Sequence, residues 1–221
     1  MSIIATVYLP EGIAMAADSR LTGTTTHADG TRERRTLSDN SQKLFLIRNG
    51  QIGISCCGDA IIAGKSVGDF IRSFEIDKLS NEDDISAVAT KLRDYTVALH
   101  GDGVIYHVSG YKNDEAYVYR IIDNYVERQN IDTESESILN GAIWNGQSEA
   151  IRKLIKNEPV MAIDWDFMQL RDGIDFAEFM VDITIKYQRF SSGLASCGGD
   201  IDILVITKDY SKWIKHKVLK P

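Results

Sequence analysis

Two apolar, β-branched runs, residues 2–9 and 13–17, open this chain with only Pro10-Glu11-Gly12 between them. So short a connection built of turn-forming residues leaves room for one arrangement, an antiparallel hairpin that ends at Asp18. The pattern repeats at residues 43–47 and 51–57, a second strand pair around Asn49-Gly50, a dipeptide suited to tight hairpin turns. Between the two pairs, residues 21–40 are rich in Thr, Gly, Asp and Ser without periodicity and read as a loop.

After Gly58 the period changes. Ala63, Val67, Phe70, Ile71 and Phe74 fall on one helical face. A second helix follows, its start marked by Ser80 and Asp83 at capping distance and its face by Ile85, Val88, Leu92 and Tyr95. Strands return at 104–110, 116–122 and 125–129, broken by Lys112-Asn113-Asp114 and Asp123-Asn124. A third helix is expected from about Gly146-Gln147 through Ile151, Leu154 and Ile155, and a longer one over 173–189. The end is β again, with 201–207 and 213–219 flanking Lys208-Asp209. This order predicts an α+β protein, one domain over 1–221: a four-layer α-β-β-α sandwich of two antiparallel sheets flanked by helices. No repeat, linker or low-complexity segment divides it.

Composition narrows the function. With 221 residues and 43% hydrophobic content the chain can bury one large core. It has no apolar run of about 18 residues and no basic-then-apolar leader, so the expectation is a soluble, cytoplasmic protein with no membrane partner. The three cysteines, Cys56, Cys57 and Cys197, do not form a disulfide framework. A net charge of -7 argues against a nucleic-acid partner. The basic cluster Arg32, Arg34 and Arg35, with Glu33 inside it, reads as a solvated loop.

Several motifs fail on spacing. Gly64-Lys65-Ser66 lacks the earlier glycine of a phosphate loop, since position 59 is Asp, and lies inside the apolar helical pattern. His27, His100, His107 and His216 are scattered, with no i, i+4 pair for zinc. No Gly-x-Ser-x-Gly elbow occurs. Cys197, beside Gly198-Gly199 but with no histidine near it in sequence, reads as a packing residue.

The segments TVYLPEGIAMAADSRLTG, QKLFLI, QIGISCCGDA and GGDIDILVITKD resemble the proteasome β-subunit family and its bacterial relatives, HslV and the ancestral β-subunit-like proteins. Asp18 lies sixteen positions after Ser2, the family's distance between an N-terminal nucleophile and its aspartate. The resemblance implies the N-terminal nucleophile hydrolase fold, with Ser2 exposed by removal of Met1, Lys43 as the active-site lysine and Gly58 as the oxyanion-hole backbone donor. It also implies substrate contacts from Thr22 through its backbone and from Cys56 and Ala60 at the specificity pocket.

The chemistry is coherent without a histidine. A serine hydroxyl needs a base, and the α-amine of an N-terminal residue, with a reference pKa of about 7.7–8.0, can be that base. A buried Lys43 lowers the proton affinity of amine and hydroxyl, and Asp18 orients Lys43. Gly58 lets a carbonyl oxygen approach the backbone donor, a contact typically worth about 2.7–4 kcal/mol.

The chain departs from the family in three places, one of them the loop 23–40, which is longer than usual and is expected to line the substrate cleft or a subunit contact. Where the family has a serine that bonds the α-amine, this sequence reads Trp144-Asn145-Gly146-Gln147, which assigns that contact to Asn145. Before the late glycine pair, where the family carries an aspartate and a serine, RFSSGLASCGGD is lengthened and has no aspartate in that place, and either Ser191 or Ser196 fills in. The expectation is a peptidase acting on peptide or protein substrates, autoprocessed at Met1, with no metal or organic cofactor, assembled as a homo-oligomer in a ring or related form. An ATPase partner is left open. So are a non-peptidase amidohydrolase of the same fold and an inactive assembly subunit.

Overall fold

The computed structural model describes residues 2–155 and 161–219. Strands β1 (Ile3–Leu9) and β2 (Gly12–Ala17) form the opening hairpin, paired from Ile4 with Ala17 to Leu9 with Gly12. Every residue in both strands is buried, because the hairpin is the centre of a sheet rather than its edge. β12 (Gly141–Gly146) pairs with β1, β13 (Asp202–Ile206) pairs with β2, and β14 (Ser211–Lys215) closes the far side, all antiparallel. The second antiparallel sheet runs in the order β11 (Tyr125–Arg128), β10 (Glu115–Ile122), β9 (Val104–Lys112), β6 (Ile52–Gly58), β5 (Leu44–Ile47).

Strand alternation divides the side chains among three apolar layers. From β1, Ile3, Ala5, Val7 and Leu9 face the helices α3 (Glu149–Ile155) and α4 (Leu170–Phe190), where Met180 and Val181 meet them. Ile4 and Tyr8 point the other way, to Leu44, Cys57 and Val118 of the second sheet. The outer face of that sheet, with Ile54 and Tyr106, packs under α1 (Val67–Lys78) and α2 (Ile85–Leu99) through Phe70, Phe74, Val88 and Leu92. The result is the expected four-layer α-β-β-α sandwich. Each large apolar side chain fully buried in it is worth about 1.5–3 kcal/mol.

One polar chain crosses the layer between the sheets. Thr6 Oγ1 of β1 lies 2.9 Å from His107 Nδ1 of β9, and His107 Nε2 lies 2.9 Å from Asn145 Oδ1 of β12. The amide oxygen only accepts, so Nε2 carries the proton and Nδ1 accepts from Thr6. Burial pushes the His107 imidazole down to about 4, so it is neutral near pH 7.

Several expectations are corrected. The polar stretch 21–40 is not a loop but a solvent-exposed hairpin of β3 (Leu21–Thr26) and β4 (Arg32–Ser38), forming its own two-stranded sheet. Its threonines favour extended backbone without needing an apolar face. Arg32, Arg34 and Arg35 therefore sit on a strand. Ala63 and the Gly64-Lys65-Ser66 motif precede the first helix instead of lying inside it: β7 (Ile61–Ile62) and β8 (Lys65–Ser66) make a small hairpin, and Ser66 caps α1 by accepting from the Asp69 N–H. Asp84, not Ser80, caps α2; Asp83 instead accepts from the Ser80 N–H. β12 is a strand the sequence reading missed, and α3 starts at Glu149, after it.

Candidate active site

Ser2 is held at the lip of the first sheet by its backbone. Its carbonyl accepts from the Gln147 N–H at 2.8 Å, immediately after Gly146 ends β12. Gly146 has φ +103, and a Cβ there would stand 1.9 Å from the Ser2 carbonyl oxygen, so only glycine lets the two segments approach. Ser2 itself is buried, and Met1 lies outside the described residues.

At the end of β2, Asp18 is fully buried, and its carboxylate joins four segments of the chain. Oδ1 accepts from the Ile3 N–H at 3.0 Å and from Lys43 Nζ at 2.7 Å. Oδ2 accepts from the Arg20 N–H at 3.2 Å and the Gly198 N–H at 3.0 Å. Lys43, just before β5, makes its second bond to the Arg20 carbonyl at 2.6 Å. With side-chain exposures of 7% and 0%, Lys43 and Asp18 form a desolvated ion pair whose geometry is fixed from both ends.

Lys43 and Ser2 share a cavity of about 250 Å³ with Thr22, Cys56, Gly58 and Ala60, so six of the expected site residues meet in one place. Gly58 ends β6 with φ +112, and a Cβ on it would fall 2.1 Å from the Gly103 carbonyl oxygen. The next residue, Asp59, donates its N–H to that same carbonyl at 3.0 Å. Asp18 stands behind Lys43.

Asn145 is corrected. On β12 it pairs with Ile4, so its side chain points between the sheets, and its amide oxygen is on His107. It does not line the cavity of Ser2. Of the two late serines, Ser196 lines that cavity, while the Ser191 hydroxyl donates to the Tyr187 carbonyl at the end of α4. The Ser196 and Cys197 N–H groups both donate to the Gln188 amide oxygen, which holds this segment against α4.

Four contributors were not anticipated: Ser19, Arg20, Asp39 and Gln188. Arg20 forms a two-pronged pair with Asp39, Nε to Oδ1 at 2.6 Å and Nη2 to Oδ2 at 2.9 Å. That guanidinium holds the Asp39 carboxyl below the usual carboxylate range through its hydrogen bonds and, secondarily, its charge. Ser19 donates its N–H to the Gly198 carbonyl and its hydroxyl to the Asp200 carbonyl, binding the late glycine segment to the end of β2. Adjacency to Asp18 was the available cue for Ser19 and Arg20.

The thiols are unsuited to attack. Burial pushes Cys56 and Cys57 up to about 12 and also raises Cys197, which packs in the layer beneath α4. Among the described residues no group of three or more His, Cys, Asp or Glu side chains is placed to hold a metal ion, and no helix is long and apolar enough to cross a membrane.

No family model matches the sequence, and no curated protein matches it. Among solved structures the chain is similar to the Gly-1 mutant of Anbu from Hyphomicrobium sp. strain MC1, with a TM-score of 0.68 at 14% identity. The match covers 98% of this chain and 86% of that one. It corrects the expected placement of the chain with HslV: the likeness is to Anbu, a proteasome-like protein, and at this identity it speaks for the fold. The chain has the four-layer fold of the N-terminal nucleophile hydrolases.

Proposed function

We propose that this protein is an amide hydrolase that cleaves peptide bonds with Ser2 as nucleophile, once the Met1–Ser2 bond has been cut. The observation that carries the reading is the buried Lys43–Asp18 pair on the wall of a cavity that also holds Ser2 and Gly58. In this scheme the freed α-amine takes the Ser2 hydroxyl proton as oxygen attacks the substrate carbonyl carbon. The Lys43 ammonium disfavours a second positive charge beside it and so keeps the amine in its basic form. Negative charge on the tetrahedral intermediate is met by the Gly58 N–H. The amine then delivers the proton to the leaving nitrogen, the C–N bond breaks, and an ester on Ser2 remains. Water, deprotonated by the same amine, resolves the ester and restores the hydroxyl.

Peptide is favoured over a small amide by the strand beside the site. Among the described residues β3 pairs only with β4, so its other edge is open to an extended chain, with a side chain accommodated in the cavity of about 250 Å³. Assembly into a homo-oligomer belongs to the same proposal, since a sequestered chamber restricts such a nucleophile to admitted substrates. One observation favours a second reading, an inactive assembly subunit. Asn145, the group expected to bond the α-amine, is committed to His107.

Intact mass before and after incubation with a β-lactone, which acylates N-terminal nucleophiles, separates the readings. Loss of Met1 and one adduct that Ser2→Ala abolishes is the expected result. Retained Met1 with no adduct supports the inactive subunit.

A further inference from the structure

The cavity wall made by the exposed hairpin carries charge that the fold leaves unmatched. Period-two alternation puts Thr22, Thr24 and Arg34 on one face of β3–β4, where Thr24 pairs directly with Arg34, and all three line the cavity. Glu33 and Arg35 lie on the opposite face, across from Thr25 and Gly23, and Glu33 is 3.4 Å from His27. The other cations of the cavity are neutralised within the fold, Lys43 by Asp18 and Arg20 by Asp39. Arg34 has no ion-pair or hydrogen-bond partner among the described residues, and the hydroxyls of Thr22 and Thr24 are also unbonded. Among the described residues the one carboxylate lining the cavity, Asp59, lies beside His100 Nε2 at 3.1 Å.

A guanidinium flanked by two free hydroxyls offers a planar donor set matched to a carboxylate. We infer that Arg34, with Thr22 and Thr24, selects substrates bearing an acidic side chain, Glu or Asp, next to the bond presented to Ser2. The inference rests on the proposed peptidase reading for its biological meaning, but the binding it asserts does not depend on turnover. Arg34 acts here as a specificity residue and takes no part in bond breaking.

The test uses full-length Ser2→Ala protein, which keeps the cavity, and short peptides blocked at both ends that differ at one position, Glu, Ala or Lys. Binding is followed calorimetrically at low salt. The Glu peptide is expected to bind about 2- to 5-fold more tightly than the Ala peptide, as for one charge-assisted pair at an exposed site. Arg34→Ala removes the difference, Arg34→Lys retains part of it, and Arg34→Glu turns the preference toward Lys. An Ala peptide with a free C-terminal carboxylate that binds as tightly as the blocked Glu peptide would overturn the side-chain assignment. So would equal affinity for all three peptides, or a Glu preference that survives Arg34→Glu. In parallel, wild-type protein is assayed for cleavage of the same peptides. Arg34-dependent binding without cleavage rejects the peptidase reading and leaves the selectivity standing; cleavage indifferent to Arg34 does the reverse.

Discussion

The first two hairpins of this chain are of similar length and nearly opposite character. β1–β2 is buried at every position, with residues facing helices on one side and the second sheet on the other. β3–β4 follows after three residues and has no buried position. The candidate site lies where they join: Asp18 and Ser19 close the buried hairpin, and Arg20 leads into the exposed one. The charge pair thus sits in the buried part, while the wall proposed to meet substrate is built from exposed strands whose side chains can change at little cost to the core. Substitutions in the first hairpin and its partners should register in stability. Those in the second should register in selectivity.

The largest effect is expected at Asp18. Asp18→Asn keeps the shape but leaves the Lys43 ammonium buried without its counter-charge, a change that typically costs about 3–5 kcal/mol. Urea unfolding should show that loss. Adding Lys43→Met should recover much of it, because the stranded charge is then gone and a thioether fits the buried stem. A loss below about 1 kcal/mol for Asp18→Asn would mean that the pair is solvated and the contrast between the hairpins is wrong at its central point.

A smaller, pH-dependent effect belongs to the same buried hairpin. Thr6 is its polar residue in the central layer, and its partner His107 titrates at about 4 in the folded protein against about 6.5 for an unfolded chain. Below pH 6.5 the unfolded state takes up a proton that the folded state refuses, so stability falls as pH drops. The contribution is complete above about pH 6.5 and is lost progressively down to about pH 4, a total of about 3 kcal/mol. Comparing urea midpoints of wild type and His107→Gln from pH 7 to pH 4 isolates it. Identical pH dependence in the two proteins would place His107 in contact with water or with an unrecognised acid.

This contrast also explains what could be read from the sequence. Apolar runs such as 3–9 and 52–57 announce buried strands because their pattern is a direct record of burial. The threonine-rich strand 21–26 leaves no such record, so its hairpin was invisible to a reading built on periodicity. The same division runs through the site. Ser2, Lys43, Thr22, Cys56, Gly58 and Ala60, picked out one by one in the sequence, line one cavity. Asn145 was assigned by position alone, and strand alternation turned it inward to His107. Arg20 and Gln188 act through contacts spanning 19 and 9 residues, to Asp39 and Cys197, which no local pattern encodes.

The smallest expected effect is the most discriminating. Arg35 adjoins Arg34 in sequence, carries the same charge and is also exposed, but alternation puts it on the outer face of the hairpin, across from Gly23. Arg35→Ala should change unfolding free energy by no more than about 0.5 kcal/mol, as surface substitutions generally do. It should also leave the relative affinity for Glu and Lys peptides unchanged. If general positive potential over the hairpin were what attracted an acidic ligand, Arg35 and Arg34 would matter alike and both effects would fade with salt. If the geometry of one face matters, only Arg34 should alter peptide preference. The pair of alanine variants therefore separates a diffuse field from a directed contact, with a difference of one position in the sequence.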